Sequence, residues 1–380
     1  MIPYGRQSIT DEDIEAVVAV LKSDYLTQGE AVPVFEQGLA DYCQTPHVIA
    51  CSNGTTALHL ACAALALGEQ DWVWVSAISF VASANCARYC GAQVDFVDVD
   101  SATGNLCVTA LREKLQQVQG SGRQPKALVA VHLAGQPCDL AEIGALCREY
   151  GVSLIEDACH ALGARYQGEP IGSCAHSDMT VFSFHPVKPI TTGEGGAVTT
   201  RSAELAARLR LYRSHGITRD PAQLTVDTPG GWYYEQQVLG FNYRLTDIQA
   251  ALGSSQLARL PQFIDRRRLL AARYDELLTR LPVEPLHQGH DRLSGYHLYV
   301  IRVQDRDEVF ARLRDAGIGV NVHYMPIPAQ PYYRDLGHDP ANYPGAQAYY
   351  RQAISLPLFP GLSLAEQDQV VQTLESVLCA

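Results

Sequence analysis

The chain predicts an α/β fold: a mostly parallel sheet sandwiched by helices, followed by a smaller C-terminal α+β unit. Three observations carry this. Between residue 47 and about residue 200, short runs recur that are apolar on both faces, the mark of strands in a sheet covered on both sides. Helix-period segments separate those runs, which is the alternation a parallel sheet requires. After about Leu245 the pattern changes to long helical stretches rich in Arg and Leu. With 380 residues, the chain has room for about two domains, expected here as a large domain over 1–245, with an N-terminal helix, and a small one over 246–380.

In order, Thr10 reads as a helix cap with Asp13 three residues on, and Ile14, Val17, Val18 and Leu21 share one helical face. Seven strands are expected: His47–Cys51, Trp72–Ser76, Val94–Val99, Ala127–Leu133, Ser153–Glu156, Met179–Phe184 and Ala197–Thr200. A helix through Leu58, Leu60 and Leu65 follows the first. Long helices are then expected from Thr246 to Leu281, and after them a strand His297–Val303, a helix Arg306–Ala316, a strand Gly319–Tyr324 and a last helix Leu364–Leu378. Thr218–Tyr234 and Pro326–Pro344, rich in Pro, Gly, Tyr and Asp, read as long loops, which are often functional.

Composition narrows the function. Hydrophobic residues at 47% and charged residues at 18% are ordinary for a globular enzyme. A net charge of −12 argues against nucleic acid and anionic membranes as partners. An anionic ligand must therefore meet a local site. The eleven cysteines are odd in number and contain no C-x-x-C pair, so reduced thiols are expected, with neither a disulfide framework nor a metal site. Met1–Arg6 has no signal-peptide core and no long apolar run occurs, so a cytoplasmic protein is expected.

The chemistry gathers at strand ends. Lys188 follows an apolar strand and stands between Pro186 and Pro189, with Gly193, Gly195 and Gly196 beyond. The prolines fix their own φ angles and bias their neighbours away from helix. A solvated lysine needs no such stiff mounting; one that must attack a carbonyl has to be aimed and partly desolvated. Ser52-Asn53-Gly54-Thr55-Thr56, between strand and helix, offers N–H groups and hydroxyls suited to a phosphate, or a plain helix cap. Ile155-Glu156-Asp157-Ala158-Cys159-His160 ends a buried strand with two acids, and a carboxylate there requires a cationic or hydrogen-bonding partner. Asp157 could instead cap the next segment, and His160 is equally a satisfied core residue or a ligand. One cofactor requires all three features: pyridoxal 5′-phosphate (PLP), with its phosphate, ring nitrogen and aldehyde. Phe80 could stack on its ring or simply pack in the core. The glycine fingerprints of dinucleotide folds and P-loops are absent, as is zinc-ligand spacing.

Ser52–Ala57, Glu156-Asp157-Ala158 with His160, Phe182–Gly196, Arg213-Ser214-His215-Gly216 and Gly240–Asp247 together resemble the DegT/DnrJ/EryC1/StrS sugar aminotransferases, in order and over nearly the whole chain. The resemblance implies a fold-type I PLP aminotransferase. By position, Lys188 matches the Schiff-base lysine and Asp157 the partner of the pyridine nitrogen. Phe80 falls where an aromatic ring covers the cofactor, Gly54, Thr55 and Ser183 fall at its phosphate, and His160 lies near its ring or 3′ oxygen. Asn242 matches an asparagine that reaches the phosphate of the neighbouring subunit, implying a homodimer with shared sites. Tyr324 falls near the substrate, and Arg244, Arg213 and His323 are candidates for a UDP pyrophosphate, or else structural and surface residues.

Phe182–Thr192 is most similar to the aminotransferases of pseudaminic acid biosynthesis. That implies transfer from L-glutamate to C4 of a UDP-linked 4-keto-6-deoxy-N-acetylhexose, giving UDP-4-amino-4,6-dideoxy-N-acetyl-β-L-altrosamine. Another nucleotide-linked keto-sugar, of the legionaminic, bacillosamine or perosamine type, stays open, as do a non-catalytic PLP-binding regulator and a nucleotide-sugar oxidoreductase or epimerase. Many relatives carry a histidine soon after the Pro-Ile pair, where this chain has Pro328-Ala329-Gln330-Pro331. The sugar dehydratases of the family replace the lysine by histidine; Lys188 is retained, which favours transamination.

Overall fold

The computed structural model describes residues 1–226 and 230–379. Its centre is a seven-stranded sheet: β1 (His47–Cys51), β2 (Trp72–Ser76), β3 (Gln93–Val97), β4 (Pro125–Val131), β5 (Ser153–Asp157), β6 (Met179–Ser183) and β7 (Gly196–Thr200). The spatial order is β1-β7-β6-β5-β4-β2-β3. From β6 across to β3 every pairing is parallel, while β7 runs antiparallel to both its neighbours. The connections explain this. Helices Gly54–Ala64, Ala82–Tyr89, Val108–Val118 and Leu140–Tyr150 return the chain between the earlier strands, as parallel pairing requires. Between β6 and β7 there is no helix, only residues 184–195. The chain reverses there, and Lys188 sits in that reversal, beyond the carboxyl end of β6.

Strand alternation supplies two apolar layers. Ile49, Val73, Val75, Val129, Ile155 and Val181 face helix residues such as Leu58 and Ala61 on one side. Val48, Trp74, Leu128, Leu154 and Phe182 face Leu39, Leu111 and Ile143 on the other. A second unit packs an antiparallel sheet of Glu284–Pro285, Tyr299–Arg302 and Ala353–Leu356 against helices Leu260–Leu278, Arg306–Asp315 and Leu364–Leu378. Ile2 joins that cluster, while Leu298, Val300 and Tyr349 join the core of the main sheet. Packing thus crosses the expected 245/246 boundary in both directions.

The long helices expected from Thr246 to Leu281 are Asp247–Ala258 and Leu260–Leu278, meeting at Arg259. Pro261 lies in the first turn of the second, where its missing N–H costs nothing. Other local expectations need correction: Gly319–Tyr324 forms no strand, only a single bridge of Asn321 to Ser355, with Ile318 just before it bridged to Ile2. The Asn321 carboxamide accepts from the Val322 N–H at 2.8 Å, so a side chain takes the place of a ladder partner. The Pro326–Pro344 loop contains the short helix Pro331–Asp335. Of the Thr218–Tyr234 loop, residues 227–229 lie outside the described residues.

Candidate active site

At the carboxyl ends of the parallel strands opens a cavity of about 660 Å³, where open α/β sheets bind their ligands. One wall is the N-terminus of helix Gly54–Ala64. The cap alternative holds for part of this motif: the Asn53 side chain accepts from the Thr56 N–H at 2.9 Å, and the Thr56 hydroxyl accepts from the Asn53 N–H at 3.1 Å. Asn53 and Thr56 thereby release Gly54 and Thr55. Among the described residues nothing hydrogen-bonds the N–H groups of Gly54 and Thr55 or the hydroxyls of Thr55 and Ser183, and all three residues line the cavity. A Cβ on Gly54 would stand 2.8 Å from the Ser183 Cβ, so glycine lets β6 and the helix converge. Two free N–H groups, two free hydroxyls and the positive helix end fit a phosphate.

The two acids ending β5 part company because successive strand residues face opposite ways. Glu156 is turned away from the cavity, accepting from Ser177 Oγ at 2.5 Å and lying 2.8 Å from His132 Nε2, both partners off the cavity wall. Asp157 lines the cavity. Its Oδ2 accepts from Ser83 Oγ at 2.5 Å and its Oδ1 from the Cys159 N–H at 3.1 Å. A buried carboxylate so held fits a protonated pyridine nitrogen.

Lys188 enters from the β6–β7 reversal, its N–H bonded to the His185 carbonyl at 2.8 Å. Burial holds its amine below the usual lysine range, against the opposing charges of Cys159 and Asp157. Among the described residues nothing hydrogen-bonds that amine. An amine kept free and easily deprotonated fits an aldehyde partner.

Three histidines complete the wall. His160 Nε2 lies 3.1 Å from the Tyr324 hydroxyl, and its ring lies 4.5 Å from that of His297. His323 Nδ1 lies 2.7 Å from Ser355 Oγ. Burial, then the Lys188 charge, holds His160 and His297 well below the usual histidine range and His323 down to about 3. His323 is thus a neutral hydrogen-bonding group and no cation for a pyrophosphate. Phe80 stands at the mouth, 56% exposed, its ring 6.1 Å from that of Tyr324.

Not every expected residue is here. Asn242 and Arg244 do not line this chain's own cavity, and Asn242 is exposed. Arg213 is committed elsewhere, to Glu36 at 2.6 Å and the Ala50 carbonyl at 2.9 Å, which corrects its candidacy for the pyrophosphate. Sequence reasoning missed Tyr4, Ser79, Ser83, His297 and Asn321. For His297, a polar residue at the edge of an apolar strand was the one available signal; the others have none. Among the described residues all eleven cysteines are free, no His/Cys/Asp/Glu group is arranged to hold a metal, and no helix is long and apolar enough to cross a membrane.

Comparison with known proteins places the chain in a family. The profile of the DegT/DnrJ/EryC1/StrS aminotransferase family matches residues 7–375. A UDP-4-amino-4,6-dideoxy-N-acetyl-beta-L-altrosamine transaminase of Campylobacter jejuni is 36% identical, over 100% of this chain and 98% of its own. The spore coat polysaccharide biosynthesis protein SpsC of Bacillus subtilis is 34% identical, over 99% and 97%. Among solved structures, Helicobacter pylori PseC, an aminotransferase of pseudaminic acid biosynthesis, superposes with a TM-score of 0.90 at 31% identity, covering 99% of both chains. A Streptococcus pneumoniae protein named as a sugar aminotransferase, in its PLP-form, gives 0.90 at 31%, covering 99% of this chain and 98% of its own. The chain belongs to the DegT/DnrJ/EryC1/StrS family, and it is a PLP-dependent sugar aminotransferase.

Proposed function

We propose that this enzyme moves an amino group from L-glutamate to C4 of a UDP-linked 4-keto-6-deoxy-N-acetylhexose, giving UDP-4-amino-4,6-dideoxy-N-acetyl-β-L-altrosamine. The observation that carries the chemistry is the convergence of Lys188, Asp157 and the Gly54–Thr55 helix end on one cavity. The substrate choice is supported by the Campylobacter transaminases, which are 35% and 36% identical. When bound, PLP supplies an aldehyde and an electron-withdrawing ring that stabilises negative charge at the reacting carbon.

The chain's own residues do the rest. The Gly54 and Thr55 N–H groups and the Thr55 and Ser183 hydroxyls hold the phosphate. Asp157 keeps the ring nitrogen protonated, Phe80 covers the ring, and His160 stands beside it as a neutral imidazole. Lys188 is the catalytic residue. Its Nζ accepts the proton leaving Cα of the amino donor and later delivers a proton to C4 of the sugar. A partly desolvated amine suits both directions because burial narrows the free-energy gap between its charged and neutral forms. Tyr324 and His323 face the substrate side of the cavity.

The active form in this proposal is a homodimer. The exposed Asn242 reaches the phosphate of the partner's cofactor, and Arg244 beside it supplies a cation for the nucleotide diphosphate. The large-domain and small-domain division at residue 245 belongs to the same proposal, with the cavity where the two units meet. A second acceptor, another nucleotide-linked 4-keto-sugar, is favoured by the comparable 34% identity to SpsC, a spore coat polysaccharide biosynthesis protein, and by Pro328-Ala329-Gln330-Pro331 in the stretch where many relatives carry a histidine.

The test is incubation with L-glutamate and a panel of 4-keto nucleotide sugars, with the product and its C4 configuration identified by NMR. The L-altro product is expected. Amination of only another member of the panel would replace the substrate, and amination of none would remove the function.

A further inference from the structure

Two serines in the cavity wall have no role in the assignments above. Ser83 Oγ lies 2.5 Å from Asp157 Oδ2, and Ser79 Oγ lies 2.6 Å from Ser83 Oγ. Both are almost fully buried, Ser79 at 3% exposure and Ser83 at 1%. Ser83 lies in the first turn of helix Ala82–Tyr89 and Ser79 just before it, where serine often accepts from a free N–H. Neither does so here: the cap position is Val81, and no side chain caps this helix. The Ser83 hydroxyl points instead to a carboxylate 74 residues away in sequence, and the Ser79 hydroxyl to Ser83.

The direction of the hydrogen bonds follows from the carboxylate. An ionised carboxylate only accepts, so the Ser83 proton is directed at Asp157. With that proton committed, Ser79 must be the donor in the second bond. The order is therefore Ser79 to Ser83 to Asp157, and such chains strengthen by mutual polarisation. The Cys159 N–H takes the other oxygen at 3.1 Å. Each oxygen of Asp157 thus has one protein donor and keeps lone-pair capacity towards the cavity. The Ser83 N–H is bonded to the Phe80 carbonyl at 3.2 Å, which ties this hydroxyl to the residue at the cavity mouth.

We propose that Ser83, backed by Ser79, is a positioning residue of aminotransfer: its hydrogen bond fixes the Asp157 carboxyl group facing inward, in the orientation that pairs it with the cofactor's ring nitrogen. This rests on the reading of Asp157 given above.

The test uses holoenzyme reconstituted with PLP labelled with ¹⁵N in the ring, comparing Ser83→Ala, Ser83→Thr, Ser79→Ala and Asp157→Asn. For Ser83→Ala, kcat should fall roughly 10- to 100-fold, the scale of one hydrogen bond to a charged group, with KM for the donor near that of the parent. The ¹⁵N resonance should move towards the unprotonated position. Ser83→Thr keeps the hydroxyl and should restore both readouts, and Ser79→Ala should show a smaller shift of the same sign. If Ser83→Ala keeps the parent resonance and kcat while Asp157→Asn loses both, the serine proposal is wrong and the role of Asp157 stands. A Ser83→Ala defect with an unmoved resonance, unrestored by threonine, would make Ser83 merely structural. If Asp157→Asn itself leaves the resonance in place, the reading of Asp157 falls and the serine proposal falls with it.

Discussion

Gly54→Ala puts the phosphate site to a quantitative test. Gly54 has no left-handed φ, so an alanine backbone fits and the effect is steric. The new Cβ would stand 2.8 Å from the Ser183 Cβ and 3.2 Å from its Oγ. Carbon atoms prefer about 3.5 Å or more, so β6 and the helix must separate by roughly 0.7 Å. Overpacking costs about 1–3 kcal/mol, while alanine returns up to about 1 kcal/mol of helix propensity, so the net loss of stability is modest. Affinity should suffer more. Displacing Ser183 removes a hydroxyl bond to a charged phosphate, worth about 1.5–3 kcal/mol, or roughly 10- to 100-fold in Kd. Titrating apoenzyme with PLP by absorbance measures that Kd, and apoenzyme unfolding measures the stability term separately. A Kd within about twofold of the parent, on a folded protein, would refute the placement of the phosphate between Gly54 and Ser183.

The other predictions concern the lysine, the histidines and a helix cap. Lys188→Ala should abolish turnover and the covalent retention of PLP trapped by borohydride; a labelled lysine elsewhere in the chain would displace the assignment. His323 is neutral in the fold, its pKa lowered to about 3 by burial and then by Lys188, against 6.5 unperturbed. As pH drops below 6.5 the unfolded chain binds a proton that the folded chain refuses. Stability should then fall by about 1.4 kcal/mol per pH unit until the folded pKa is reached. Unfolding of the apoenzyme from pH 7 to 4 should therefore be steeper than for His323→Asn, and equal slopes would contradict the burial argument. Asp247 accepts from the N–H groups of Gly29, Ala31 and Val32 at 2.7, 2.9 and 3.3 Å, capping helix Ala31–Cys43 from across the fold. Asp247→Ala should cost about 2–4 kcal/mol in denaturant unfolding, and lost turnover at full stability would point to a catalytic role instead. Asn242→Ala should weaken PLP retention in the dimer, and a monomer retaining full PLP affinity would exclude a shared site.

Much of this was legible because it is local. All seven strands of the main sheet are marked by apolar runs, and the Lys188 turn by its prolines and glycines. Where reasoning from sequence failed, the cause lay in partners distant along the chain. Gly319–Tyr324 has strand-like residues, yet Asn321, His323 and Tyr324 line the cavity and the segment keeps only one isolated bridge. Arg213 resembles an anion ligand until Glu36, 177 residues away, is seen to occupy it. Asp247 lies in a motif shared with the family, and its work is capping, which no local pattern discloses.

The order of short apolar runs and helical periods was enough to specify a parallel sheet with its ligand at the carboxyl edge, since burial periodicity and turn chemistry act over a few residues. Three chemical signatures were enough to specify the cofactor, because each side-chain type answers one part of it. Folding alone decided which of the adjacent acids faces the ligand, that Asn53 and Thr56 cap so that Gly54 and Thr55 are left free, and that a serine 74 residues from Asp157 donates to it. Those outcomes depend on which faces meet when the sheet closes, and a linear pattern carries no record of that meeting.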